Sequence, residues 1–327
     1  MDTILIVYHR IDFDGLCSMA VIRKWAEGQG YEVEARGYNY GDPAPERSGG
    51  PWLGGIRIRP ERYDKIFIVD CCLPAETMKY WSTSTEVVWI DHHCTAIKES
   101  VEQGFDDLNG LREEGVGACE LCWRHIYPGT PVPLIVQLLA TYDVWDKNRL
   151  DWEKLTLPFQ YGLRARGLSD AEQFYEFYRD AIWAPLNIEW SVVNEGLAIL
   201  RYARETGRRA CKAYGFVVTI GTKRKGKSRR LIKGLALLTG HFGALEMEES
   251  VRAMGCDVAV CLNRSNADDG TYKVSIYAGS SASASAVEEF NLGEYLKAYY
   301  HGGGHRAAAG GTLTEKEFRR LLARKEL

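Results

Sequence analysis

His9, Asp12 and Asp14 place one imidazole and two carboxylates within six positions, immediately before Gly15. Three ligand-type side chains are too many for packing and too few for a complete metal site. Their chemistry therefore depends on partners from elsewhere in the chain. Asp70, the run Asp91-His92-His93 and Asp143 are the candidates. Asp143 lies in the apolar-aromatic stretch Thr141-Tyr142-Asp143-Val144-Trp145-Asp146, where a carboxylate is costly unless it is paired or binds a metal. Asp146, three residues on, competes for the same role. A set rich in carboxylates, with imidazoles and no need of a thiolate, suits Mn²⁺ or Mg²⁺ better than structural Zn²⁺. Such a cluster can hold two ions about 3.5–4 Å apart, which orient water and neutralise the oxygens of a phosphoryl transition state.

The elements around these residues explain how distant groups converge. Ile4-Leu5-Ile6-Val7-Tyr8, Lys65-Ile66-Phe67-Ile68-Val69 and Glu86-Val87-Val88-Trp89-Ile90 read as buried strands, and each runs into one of the polar groups. Parallel strands align those ends along one edge of a sheet, where ligands bind. Residues 15–28 carry Leu16, Met19, Ala20, Ile22 and Trp25 at helical spacing, and Tyr31 to Tyr38 alternates as a second strand. Residues 39–62, rich in Gly, Pro and Arg, form a surface loop with space for a short hairpin. Pro74 opens a short helix. This β–α–β rhythm predicts a parallel sheet covered by helices.

Beyond residue 112 the pattern turns helical over 116–127, 131–145 and 170–181, then over one long stretch from Pro185 to about Ala210. Strands return at 214–220, 256–262 and 272–277. Helices follow near 290–299 and 314–325, the last opened by a capping box from Thr314 to Glu317. The expected fold class is α/β. A parallel-sheet domain (1–190) with helices on both faces and the candidate metal ligands is expected, with a connecting helix (191–211) joining it to a smaller mixed-sheet α/β domain (212–327).

The chain has 327 residues, 46% of them hydrophobic, enough for two cores. A formal net charge of −3 argues against wholesale coating of nucleic acid. No apolar run is long enough to span a membrane, and the N-terminus lacks the pattern of a signal peptide. Nine scattered cysteines predict reduced thiols in the cytoplasm. Cys119-x-x-Cys122 has no second pair and reads as packing, as do Cys71, Cys72 and Cys94.

Two further stretches point to an anionic ligand. Gly302-Gly303-Gly304 lets the backbone approach an anion and expose amides to it, with His305 and Arg306 following as donors. The basic run from Lys223 to Arg230, with Lys233 beyond it, reads as a solvated loop or as a track for backbone phosphates, through Arg229 and Arg230 among others.

The order of these motifs resembles the DHH phosphoesterases. Asp91-His92-His93 is similar to the motif that names the family, His9-x-x-Asp12-x-Asp14-Gly15 to its first motif, Asp70 to its second and Asp143 to its fourth. His301 to Gly310 resembles the glycine-rich signature of the associated DHHA1 domain. The resemblance implies that His9 and Asp12 bind one metal, Asp14, His92 and Asp143 another, and that Asp70 bridges both. It also implies that His93 acts at the scissile phosphate and that Asp91 orients an imidazole. It implies two divalent ions, Mn²⁺ first, with Mg²⁺ or Co²⁺ as alternatives. The glycine segment is expected to face the metal site across a cleft and bind substrate through Gly302, Gly303, Gly304, His305 and Arg306. Two departures concern the substrate. The family's Arg after a Ser is absent, since Ile276 and Tyr277 follow Ser275; Arg264 is one substitute, and Tyr277 is a candidate for stacking on a base. His301 also stands where the family has Gly.

The expected function is metal-dependent phosphodiesterase or exonuclease action on short, single-stranded RNA or DNA oligonucleotides, giving mononucleotides. Alternatives are an exopolyphosphatase or pyrophosphatase, and hydrolysis of phosphoadenosine phosphate or of cyclic or linear dinucleotides. A nucleic-acid-binding module with a decayed site is the non-enzymatic rival. No membrane partner is expected, and homodimerisation stays open.

Overall fold

The computed structural model describes residues 2–40, 42, 52–53, 56–182, 187–221, 231–238, 243–265, 270–279, 290–304 and 306–327. The chain separates into two compact units, Met1–Leu200 and Arg201–Leu327. The division falls inside one long helix, Asn187–Tyr214.

The first unit is built on four strands: β1 (Thr3–His9), β2 (Glu32–Tyr38), β5 (Lys65–Val69) and β6 (Glu86–Ile90). The intervening β3 (Trp52–Leu53) and β4 (Ile56–Arg57) pair as the short hairpin foreseen in the loop. The main sheet runs β2-β1-β5-β6 and every pairing in it is parallel. β1 is buried along its whole centre because both of its faces are covered. Ile4, Ile6 and Tyr8 enter one core, with α1 (Phe13–Gly28), α4 (Ala118–Ile126), α5 (Leu134–Asp143), α6 (Leu157–Ala165) and α7 (Ala171–Ala181). Leu5 and Val7 enter the opposite core, against α2 (Ala75–Ser82), α3 (Cys94–Gln103) and Phe105. β2 lies on one side of β1 and β5 on the other, so the strand order reverses between β1 and β5. That reversal opens a crevice at the carboxyl ends of these two strands.

The second unit begins within the long helix α8 (Asn187–Tyr214). Its six-stranded sheet contains β7 (Phe216–Gly221), β8 (Leu231–Leu238), β9 (Val258–Arg264), β10 (Tyr272–Ala278), β11 (Gly303–Gly304) and β12 (Ala308–Leu313), in the order β11-β12-β10-β9-β8-β7. Only β8–β9 is parallel, so the sheet is mixed. One face packs Val260, Val274 and Ile276 against α10 (Leu292–Tyr299) and α11 (Glu315–Arg324), the latter opened by the Thr314–Glu317 capping box. The other packs Leu235, Leu237 and Cys261 against α9 (Ala244–Ala253). Strands β8, β11 and β12 and helices α3, α6 and α9 go beyond the elements expected from the sequence. No helix among the described residues is long and apolar enough to cross a membrane.

In the first unit α6 and α8 meet backbone to backbone. A Cβ at Gly196 would lie 1.7 Å from the Pro158 carbonyl oxygen. Gly196→Ala is therefore expected to destabilise the protein by about 1–3 kcal/mol or more. Gly28→Ala, at the exposed end of α1 where a Cβ meets nothing within 4 Å, is expected to add about 0.5–1 kcal/mol. Urea denaturation of both variants checks the pair, and equal effects would contradict the close helix contact.

Candidate metal centre

β1 delivers His9 to the crevice, and Asp12 caps α1 by accepting the Gly15 N–H at 2.9 Å. The turn between them is tight: a Cβ on Gly15 would come 1.9 Å from the His9 carbonyl oxygen. Asp14, in the first turn of α1, accepts the N–H groups of Ala118 (2.7 Å) and Cys119 (3.1 Å). It thus occupies the positive N-terminus of α4, a favourable place for a carboxylate.

Asp70 follows β5 in the left-handed region, with φ +57°, a conformation uncommon outside glycine. Its N–H is fixed to the Ile90 carbonyl at 2.9 Å. This geometry sends its two oxygens in different directions. Oδ2 lies 3.5 Å from Nδ1 of His9, and Oδ1 lies 3.2 Å from Nε2 of His92. Asp143, the last residue of α5, puts Oδ2 3.2 Å from the same His92 nitrogen, and Asp14 Oδ2 is 3.9 Å from it. Asp146 is occupied elsewhere, accepting the Asn148 N–H at 3.0 Å.

Asp91, fully buried at the end of β6, gathers three donors on Oδ1: the N–H groups of His92 (2.7 Å) and His93 (3.1 Å), and Nδ1 of His93 (2.7 Å). The His93 imidazole is thereby aimed by this carboxylate, which also holds the backbone of His92 beside it.

The donor set fits a hard divalent cation. Both oxygens of Asp70, Nδ1 of His9, Nε2 of His92 and Oδ2 of Asp91 are buried without an aligned hydrogen bond. His9 Nδ1 stands 2.7 Å from Asp12 Oδ2 yet is not directed at it as a donor. Atoms this close but misaligned with one another point to a shared position between them. Two groupings, His9/Asp12/Asp70 and Asp14/His92/Asp143, each bring their ligand atoms within 4.8 Å of one another, as does Asp70/Asp91/His92/His93. The cysteines contribute to no such grouping among the described residues; burial pushes the Cys119 and Cys122 thiols well up, so both stay protonated.

Electrostatics favour the same reading. Burial and the carboxylates of Asp14 and Asp12 push Asp70 well above the ordinary carboxylate range. Burial, Asp14 and Asp70 do the same to Asp143, although 26% of its side chain reaches solvent. Burial works against ionised Asp12, but the adjacent His9 imidazole brings it below its usual value. Burial also opposes charge on His9, and Asp12 and Asp70 overcome it, raising that imidazole to about 10. His93 follows the same pattern, with Asp91 raising it against burial.

Sequence reasoning missed Tyr40, whose ring centroid lies 5.9 Å from that of His9 and 6.1 Å from that of His93. It stands in the Gly/Pro-rich loop, without any motif spacing to mark it. The residues expected to bind substrate in the second unit are dispersed. A Cβ at Gly302 would lie 2.1 Å from the Gly310 carbonyl oxygen, and Gly304 has φ +133° with Ala308 beneath it, so the β11–β12 hairpin itself requires both glycines. Gly303 meets nothing and carries no such requirement. Arg306 is exposed, next to this hairpin. Tyr277, paired with Ala308, packs on the α9 side of the sheet. Arg264 pairs with Tyr272, at the far end of the β9–β10 ladder from Tyr277, so it is not brought to the glycine hairpin. His305, Arg229 and Arg230 lie outside the described residues.

The raised Asp70 means that the folded state holds its proton to higher pH than the unfolded chain does. Metal-free stability therefore falls as pH climbs above the ordinary carboxylate range. His9 acts in the same sense over a higher range: its contribution is complete below the ordinary imidazole value and fades as pH approaches about 10. Asp70→Asn is expected to make the metal-free protein more stable at pH 7 by about 1–2 kcal/mol. The same variant should lose the Mn²⁺-induced rise in Tm. Thermal and urea denaturation with and without Mn²⁺ read both effects; a less stable metal-free variant would mean that protein partners already satisfy this carboxylate.

No curated protein matches the chain. Residues 3–140 match the DHH family, N-terminal domain. Among solved structures, the DHH domain of a member of a ribosomal protein family is similar over 99% of this chain and 85% of its own, with a TM-score of 0.54 at 14% identity. RecJ from Thermus thermophilus, in complex with Mn²⁺, covers 99% of this chain at 19% identity with a TM-score of 0.48. The chain spans about half of that protein, 51%. An exopolyphosphatase-related protein from Bacteroides fragilis gives a TM-score of 0.45 at 11% identity, over 99% of this chain and 91% of its own. The matched residues 3–140 lie in the first unit, on the sheet whose β1, β5 and β6 ends carry His9, Asp12, Asp14, Asp70 and Asp91-His92-His93, so this unit is similar to the N-terminal domain of the DHH family.

Proposed function

We propose that this protein is a divalent-metal-dependent phosphodiesterase that cuts short RNA or DNA oligonucleotides to mononucleotides. The observation that carries the reading is the divided carboxylate of Asp70, one oxygen toward His9 and the other toward His92. It supports two cation positions with Asp70 shared. His9 and Asp12 would hold one ion; Asp14, His92 and Asp143 would hold the other. Mn²⁺ suits this mixture of carboxylate and imidazole, with Mg²⁺ or Co²⁺ as alternatives. When bound, divalent ions supply Lewis acidity and lower the pKa of water to the neutral range.

The chain's own groups do the rest. His93 keeps a proton on Nδ1 toward Asp91, and Asp91 favours its cationic form. Its Nε2 can then donate to a phosphate oxygen or to the leaving oxygen. Asp91 is a positioning residue that fixes the tautomer and direction of the His93 imidazole and holds the backbone of His92. Gly303, His305 and Arg306 of the second unit are proposed to bind phosphate.

With Mn²⁺, labelled RNAs of about two to five nucleotides are expected to yield mononucleotides, and Asp70→Ala to abolish the reaction while the far-UV circular dichroism is kept. His93→Ala should lower kcat by about 100–10,000-fold, and Asp91→Asn by about 10–100-fold. The rate should decline as pH rises through the elevated His93 value. A panel that includes pyrophosphate, polyphosphate and cyclic dinucleotides fixes the substrate class; no cleavage of oligonucleotides with Mn²⁺, Mg²⁺ or Co²⁺ defeats the proposal.

A further inference from the structure

We propose that Tyr40 selects substrates bearing a nucleobase, by offering its ring as a stacking platform beside the metal centre. The proposal rests on the reading of that centre as a phosphodiester site and names what must be attached to the phosphate.

Tyr40 follows β2, and 48% of it is exposed, unusual for a large aromatic in contact with two imidazoles of a buried cluster. It is also held in place. Its hydroxyl oxygen accepts the Cys72 N–H at 3.1 Å, and its ring packs edge-on against buried Tyr38 with centroids 5.8 Å apart. His9 and His93 border it at 5.9 and 6.1 Å. A surface tyrosine with no ligand has no need of such fixing. A stacking surface does, because a ring already immobilised loses little entropy when a base settles on it.

The separation is suited to a nucleotide. About 6 Å between the ring and imidazoles that face phosphate is the scale of the sugar between a phosphate and its base. The charges nearby argue the same way. Polyphosphate calls for dense, unengaged cations, whereas Arg10, next to His9, is bound to Asp42 at 3.0 Å. Stacking is tolerant of base identity because every base has a π-face. The site should therefore distinguish the presence of a base far more than its type.

Because the hydroxyl also braces the turn that carries Asp70, Tyr40 has a rival role as a latch, and the variants separate the two. Calorimetric titration of the Mn²⁺-loaded protein with AMP and with ribose 5-phosphate measures the value of the base directly. AMP is expected to bind about 10-fold more tightly. Tyr40→Phe and Tyr40→Trp should keep that ratio, and Tyr40→Leu should bring it close to one. The proposal is overturned if AMP does not bind, if the wild-type ratio is near one, if Tyr40→Leu keeps the ratio, or if Tyr40→Phe loses it as fully as Tyr40→Leu. Base-dependent binding without turnover would defeat only the hydrolytic reading; turnover with a ratio of one would defeat only this one.

Discussion

Four carboxylates brought together at one sheet edge repel one another, and the fold holds them there regardless. Asp70 is the centre of the conflict: fully enclosed, left-handed in backbone, and pushed toward its protonated form by burial and by Asp14 and Asp12. Strain of this kind, of order 1–3 kcal/mol for the backbone alone, persists only where the surroundings over-determine it. Here β5 and β6 do so, through the bond from the Asp70 N–H to Ile90. A cation relieves the repulsion without protonating the carboxylates, so the unsatisfied oxygens are better understood as preorganisation than as defects.

The candidate ligands are supported by an equally specific frame. Asp14 binds the first N–H groups of α4, tying the cluster of carboxylates and imidazoles to that helix. At the next residue of α4, buried Glu120 accepts from Arg124 and from Arg149, and Arg149 lies just beyond the end of α5. The acid of one helix is thus linked to the segment that carries Asp143 on another. Removing one member would strand a buried charge, which typically costs about 3–5 kcal/mol. The arrangement fixes Asp14 and Asp143 against each other while neither touches the other directly as a donor.

The strand ends were legible in the sequence because apolar runs such as Lys65 to Val69 stop at a polar residue, and a parallel sheet aligns those stops. Asp143 was harder, since periodicity alone does not choose between it and Asp146; the helix end makes the choice by giving Asp146 a turn to cap. β12 could not be read, because Ala-Ala-Gly-Gly has little strand propensity and pairs only as β10 and β11 supply partners. The same hairpin explains two of the glycines that had suggested an anion cradle. Tyr40 was invisible for a related reason. Its significance arises from Cys72, 32 residues away, and from imidazoles at the ends of two different strands.

All of the groupings able to hold a metal among the described residues lie between His9 and Asp143, in the first unit. Their members come from the ends of β1, β5 and β6 and from α1 and α5, elements that pack on both faces of one sheet. The unfolded chain has no such cluster, because its ligands are separated by tens of residues. Binding free energy therefore appears as folding free energy of this unit. The second unit has a mixed sheet with its own two cores and no candidate grouping among its described residues. Metal should accordingly raise hydrogen-exchange protection in β1, β5 and β6 while the protection of β9 and β10 stays the same. This regional difference separates a site-bound cation from nonspecific screening of an acidic surface, which would have no reason to respect the boundary at Leu200.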